Sequence, residues 1–190
     1  MTVEPAWITL GQPNTKGKSE LEKKFFPGYN RIVEFFFKDS ILGSHGFRID
    51  TVSMDNYIME VVWATDFKEE YTIERRKIPV SATFAGQVWK SYHGIMKYYF
   101  SRGIAPTSSD GYSVTFRCVV EDFSLWTFFA RNPLSHIKDL STACNEIVKE
   151  VQENGKMANE EKHIKQIDKL LRKGNQNLKK KHPGERIQFL

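Results

Sequence analysis

Residues 111–133, GYSVTFRCVVEDFSLWTFFARNP, decide the fold, because they predict two β-strands, a short turn and the start of a helix. Val114, Phe116 and Cys118 alternate along the first strand, as side chains on one buried face of a sheet do. Asn132 and Pro133 then predict an N-cap followed by proline at the first helical position. The rest of the chain builds outward from this hairpin.

The composition predicts a folded domain in the cytoplasm. The chain has 190 residues, 40% hydrophobic and 13% aromatic, which suffices for one sizeable core and excludes wholesale disorder. No apolar run approaches the roughly 18 residues of a membrane span, and the first residues lack the features of a signal peptide. The two cysteines, Cys118 and Cys144, predict buried thiols in a reducing compartment. We therefore expect no membrane association.

The net charge of +5 is unevenly distributed. Residues 156–190 hold ten Lys or Arg and four Asp or Glu, whereas the other 155 residues hold 18 basic and 19 acidic groups. The basic excess therefore belongs to the tail. We predict an irregular N-terminal arm over 1–18, a single α+β domain over 19–155, and a basic, partly helical tail over 156–190.

Local patterns predict the remaining elements. Ser19 and Glu22 match a capping box at the start of a helix, and apolar residues at helical spacing predict a second helix over 29–42. Three strands follow between residues 47 and 80, then a long helix over 82–102 capped by Ser81, and a final long helix ending at Gly155. This order predicts an α+β fold, an antiparallel sheet with helices packed mainly on one face and a helical basic C-terminal tail.

No catalytic motif is present. The five histidines have no histidine or cysteine partner at i+3 or i+4, and there is no glycine-rich phosphate loop or nucleophile elbow. Glu121 and Asp122 are adjacent carboxylates, but their place at the predicted turn is typical of solvated residues. The sequence favours a binding protein over an enzyme, with no cofactor and no metal.

A polar face on the hairpin is the main candidate site. Ser113, Thr115 and Arg117 stand opposite the apolar row, and Ser124 belongs to the second strand. Hydroxyls can bond phosphate oxygens and 2′-hydroxyls, and a guanidinium supplies a charge-assisted fork. This face therefore predicts contact with a nucleic-acid backbone.

Other basic and aromatic residues extend the candidate site, each with an alternative. Arg75 and Lys77 favour either phosphate binding or protection of an edge strand. Lys179–Lys181 are typical of a solvated tail but can add affinity for polyanions. Trp7 either packs against the core or stacks on a base.

Residues 112–119, YSVTFRCV, are similar to the strand Tyr-Ser-Ile-x-Phe-Arg-x-Val of the tombusvirus-type RNA-silencing suppressors. The flanking helices stand in the same order, so the chain resembles this family over residues 57–151 at most. The resemblance implies a viral homodimer that binds small interfering RNA on a joined sheet and caps the duplex ends with tryptophans. It implies that Ser113, Thr115 and Arg117 lie on or beside the RNA-facing sheet. The chain departs from the family in offering only Trp7 in its arm.

These observations lead to two hypotheses. The first is a suppressor of RNA silencing that binds short double-stranded RNA by shape and sequesters it, as a homodimer in the (host) cytoplasm. Its predicted RNA-binding residues are Trp7, Arg75, Lys77, Ser113, Thr115, Arg117 and Ser124. The alternative is an apolar-ligand or protein-binding α+β module, in which FSLWTFFAR and the phenylalanines at 35–37 line a cavity or interface.

Overall fold

Seven strands pair into one antiparallel sheet in the order β1-β7-β6-β2-β3-β4-β5. The computed structural model describes residues 7–12, 19–28, 32–39, 43–64, 72–102, 111–120, 125–133 and 135–181. The strands are β1 (Trp7–Gln12), β2 (Val33–Asp39), β3 (Gly43–Ser53), β4 (Asn56–Ala64), β5 (Ile73–Val80), β6 (Ser113–Val119) and β7 (Leu125–Arg131). The helices are α1 (Glu20–Phe25), α2 (Ala82–Arg102), α3 (Ser135–Asn154) and α4 (Glu160–Lys181).

The helices are placed mainly on one face of the sheet. α2 and α3 pack directly on that face, and α4 lies across both of them as an outer layer. The main core lies between these helices and the sheet, and its largest fully buried members include Tyr92, Phe47, Phe84 and Phe116. The short helix α1 packs on the opposite face, where Phe25 and Phe26 form a second apolar cluster. The predicted α+β fold is confirmed.

The predicted helix over residues 29–42 is wrong, because residues 33–39 form the central strand β2. This strand pairs with β3 on one side and β6 on the other. Val33, Phe35 and Phe37 belong to the main core, while Phe36 belongs to the cluster beneath α1. Burial on both faces gives an apolar run interrupted only by the buried Glu34, and its spacing also fits a helix.

Three predicted helix boundaries are confirmed. Ser19 and Glu22 form the capping box of α1, with the Ser19 N–H donating to the Glu22 carboxylate at 2.7 Å. α2 begins at Ala82, and the Ser81 hydroxyl accepts from the Phe84 N–H at 3.1 Å. Gly155, with φ of 73°, follows α3 and donates its N–H to the Val151 carbonyl at 2.9 Å.

The start of α3 differs from the prediction. The helix begins at Ser135, and Asn132 instead has a left-handed φ of 47°. The Asn132 N–H donates to the Tyr112 carbonyl at 2.8 Å, which extends the β6–β7 pairing by one residue at the open ends of the hairpin.

The arm and the tail contribute to the same sheet and core as residues 19–155. The predicted irregular arm contains β1, which pairs with β7. The predicted tail contains α4, in which Ile167 is 1% exposed. The Glu160 carboxylate accepts from the Ser81 N–H at 3.2 Å, so the first turn of α4 docks at the first turn of α2.

Candidate functional site

Arg117 lies inside the protein. Its side chain is 3% exposed, and its guanidinium donates to Glu34 at 2.6 Å and to Glu22 at 2.8 Å. Burial alone would raise the pKa of Glu22, but the charge and hydrogen bonds of Arg117 and Ser19 outweigh burial and lower it. Burial likewise opposes the charged form of Arg117, yet the two carboxylates raise its pKa. This burial contradicts the predicted contact of Arg117 with RNA phosphates.

The predicted polar face of β6 is mostly interior. Thr115 is 4% exposed, and Ser113 at the strand end is half-buried. The face carrying Arg117 is covered by α1, which supplies Glu22 to the ion cluster. Thr115 is therefore also corrected from a surface contact to an interior residue. Ser124 lies outside the described residues.

Arg75 holds the end of α1. Its guanidinium donates to the Phe25 carbonyl at 2.6 Å and also to the Lys24 carbonyl. Arg48 adds a bond to the Pro27 carbonyl at 3.0 Å. Cations at the C-terminal carbonyls of a helix complement its dipole, so these arginines fasten α1 to the sheet.

Among the described residues, Arg75 and Lys77 are not brought together with Arg117. Lys77 is exposed on the edge strand β5, two residues after Arg75. Trp7 is the first residue of β1, and its backbone lies opposite Phe129. Its side chain is not among those that the structure describes. Arg117 is buried on β6, near the centre of the sheet and away from the edge strand β5.

One side of α4 carries a line of exposed cations. We call Lys162, Lys165, Lys169 and Arg172 the basic face of α4; all four are exposed. Their spacing of i, i+3, i+7 and i+10 places them on one side of a helix. The pairs Lys165–Glu161 and Arg172–Asp168, each at 2.8 Å, are solvent-exposed, so their cations are weakly held. The overall charge of the tail pointed to this region, but the helical spacing is the signal that sequence reasoning missed.

The opposite side of α4 is fixed to the protein. Ile164, Ile167 and Leu171 pack in the main core, and His163 lies 2.6 Å from the Glu150 carboxylate. Glu150 also accepts from the Ala158 N–H at 2.7 Å. Burial would raise the pKa of Glu150, but these hydrogen bonds and His163 lower it. The basic face is thus presented by an anchored helix.

A cleft of about 520 Å³ opens beside α3. The sheet contributes Ser44, His45 and Trp63, and α3 contributes Asn145, Lys149 and Glu153. His45 lies 2.9 Å from the Asn145 side-chain oxygen and stacks on Phe37 with centroids 4.6 Å apart. Burial lowers the pKa of His45 despite that hydrogen bond and the Asp39 carboxylate, and so favours the neutral imidazole.

The buried thiols do not form a reactive site. Cys118 and Cys144 are free and buried, and burial raises the pKa of both, that of Cys144 to about 12. Within the described residues, no group of three His, Cys, Asp or Glu is placed to hold a metal ion. No helix in the same part of the chain is long and apolar enough to cross a membrane.

The chain matches no protein-family model, no curated protein and no solved structure. The resemblance to tombusvirus-type suppressors, drawn from residues 112–119 and the order of the flanking helices, stays a prediction.

Proposed function

We propose that the protein binds short double-stranded RNA through the basic face of α4 and sequesters it. One observation carries the proposal: four exposed cations lie in line on a helix whose other side is anchored in the core. The proposal keeps the ligand expected from the sequence and moves the contact from β6 to α4.

The dimensions of α4 suit a duplex backbone. Its 22 residues extend over about 33 Å, and successive cations are about one 5.4 Å turn apart. The whole helix contains eight Lys or Arg and three Asp or Glu. Cations spaced along one line neutralise successive phosphates and release counterions, which gives affinity without base readout.

The packing of α4 favours a soluble polyanion over a lipid surface. A basic amphipathic helix binds a bilayer by burying its apolar side at the interface. In this protein Ile167 is 1% exposed, because the apolar side of α4 is already packed on α2 and α3. Among the described side chains of α4, which end at Arg172, the exposed ones include the four cations of the basic face, as backbone binding requires.

Binding of this kind sequesters the RNA and does not change it chemically. A duplex held along α4 is withheld from other RNA-binding proteins, and no bond in the RNA is changed. The resemblance of β6 to the silencing suppressors supports duplex RNA as the ligand class. A homodimer would present two basic faces and lengthen the bound segment; this remains a prediction, which sedimentation with and without RNA measures.

The test is a salt titration of binding. Fluorescence anisotropy compares a duplex RNA of about 21 base pairs with the matching DNA duplex and single-stranded RNA. Four phosphate contacts give a slope of log K against log salt of about −3.6, a loss of about a hundredfold between 50 and 200 mM salt. Replacing the four cations of the basic face with glutamine should reduce the slope by about one for each residue.

The matched control also removes four positive charges. Lys38, Lys90, Lys97 and Lys138 are exposed outside α4, and their replacement by glutamine should change the slope by less than one. If both variants lose affinity equally, net charge and not the basic face is responsible. Equal binding of all three nucleic acids would refute recognition of duplex RNA.

A further inference from the structure

The cleft beside His45 lies at a junction of three elements. β3 and β4 supply His45 and Trp63, whose backbones are directly paired, and α3 supplies Asn145, Lys149 and Glu153. Asn145, Lys149 and Glu153 follow at i, i+4 and i+8, so one side of α3 forms a polar wall. The volume of about 520 Å³ lies in the range of small-molecule sites.

The polar wall carries one charge of each sign. Lys149 Nζ and a Glu153 carboxylate oxygen are 3.8 Å apart, and the two side chains are 74% and 59% exposed. That separation is too long for a hydrogen bond, and an exposed ion pair of this kind is weak. A ligand with its own carboxylate and ammonium can therefore replace the pair and hydrogen-bond to both groups.

The sheet side of the cleft combines His45, on which the Asp39 carboxylate acts, with the apolar ring of Trp63. The Asn145 side-chain oxygen lies 2.9 Å from His45 Nε2 and accepts a hydrogen bond from the tautomer that carries its proton there. Trp63 and Ala64 add apolar surface at the end of β4. The guanidinium of Arg76 lies 5.8 Å from the Trp63 ring centroid, which holds the indole in place.

We propose that this cleft binds a free α-amino acid with an apolar or aromatic side chain. The ligand carboxylate pairs with Lys149, its ammonium pairs with Glu153, and its side chain lies against Trp63. A dianionic ligand is disfavoured, because Glu153 and Lys149 together carry no net charge. This site is separate from the basic face of α4 and does not depend on RNA binding.

The experiment titrates the full-length protein with phenylalanine and leucine. Binding is followed by calorimetry and by the NMR signals of the His45 imidazole and the Asn145 amide. N-acetyl-phenylalanine lacks the ammonium and phenylalanine amide lacks the carboxylate, so each should bind about threefold to fivefold more weakly than phenylalanine, as the loss of one exposed ion pair implies. Lys149→Gln should weaken the binding of phenylalanine by a similar factor and leave the binding of phenylalanine amide unchanged. Glu153→Gln should also weaken the binding of phenylalanine, but it should leave the binding of N-acetyl-phenylalanine unchanged.

Controls separate the site from general effects. Lys138→Gln removes an exposed charge from the same helix and should leave amino-acid binding unchanged, as should the four-residue variant of the basic face. Saturable binding that requires both ligand charges and both side chains supports the proposal. Absence of binding to phenylalanine and leucine in the millimolar range overturns it, as does equal affinity for the blocked analogues.

Discussion

Replacement of Arg117 by methionine leaves two carboxylates buried without their counter-charge. Glu34 is fully buried and Glu22 is 6% exposed, and Arg117 bonds both at 2.6 and 2.8 Å. Two charge-assisted hydrogen bonds contribute roughly 1.5–3 kcal/mol each, and breaking a buried ion pair costs about 3–5 kcal/mol. We therefore expect the free energy of unfolding to fall by about 4 kcal/mol.

Guanidinium denaturation at pH 7 measures this loss, and thermal unfolding should show a melting temperature lower by about 8–16 °C. In the native protein the lowered pKa of Glu22 gives stability that is complete above its unfolded value and lost as pH falls through the folded value. In Arg117→Met, burial without a cation raises the pKa of Glu22 above the unfolded value. The variant should therefore recover stability relative to the native protein between pH 7 and pH 5.

Two further variants test the reasoning. Arg172→Met removes an exposed arginine that pairs with Asp168 at 2.8 Å, and it should cost less than about 1 kcal/mol. Adding Glu34→Leu and Glu22→Gln to Arg117→Met should restore most of the stability, since no buried charge remains. A loss below about 1 kcal/mol for Arg117→Met, or weaker RNA binding with unchanged stability, would refute the structural role of Arg117.

The remaining predictions concern packing, capping and the thiols. Gly46→Ala should lower the free energy of unfolding by about 3 kcal/mol in urea denaturation, because the new Cβ meets a backbone carbonyl of β2. Gly86→Ala should instead raise it by roughly 0.5–1 kcal/mol, because the space at that Cβ is open. Ser81→Ala removes the N-cap of α2 and should cost about 1 kcal/mol in the same assay. Cys144, whose pKa is raised to about 12, should resist iodoacetamide at pH 8 in the folded protein and react once denatured, as mass spectrometry would show; rapid native alkylation would contradict its burial.

The sequence predicts elements well where one face is apolar and the ends are marked. α2 has apolar residues on one side and a serine cap, and its predicted bounds are those observed. β2 lacks such contrast, because Phe35 and Phe36 are buried on opposite faces of the sheet. A strand buried on both faces shows no alternation, so its type depends on partners elsewhere in the chain.

The candidate site was harder to predict for the same reason. Arg117 alternates with hydroxyl residues, a pattern typical of an exposed face, and its partner Glu22 lies on a short helix distant in sequence. Only the tertiary position of α1 shows that this face is interior. The basic face of α4, in contrast, can be predicted from the helical spacing of its four cations, without knowledge of any residue distant in sequence.

The pairing order of the sheet also governs how the chain can fold. β2 cannot complete its pairing until β6 is synthesised, and β1 must wait for β7. About 80 residues separate β2 from β6, a delay on the order of 4–16 s at roughly 5–20 residues per second. During that interval the phenylalanines of β2 have an open strand edge beside them, so the nascent N-terminal half is the part of the molecule most exposed to aggregation.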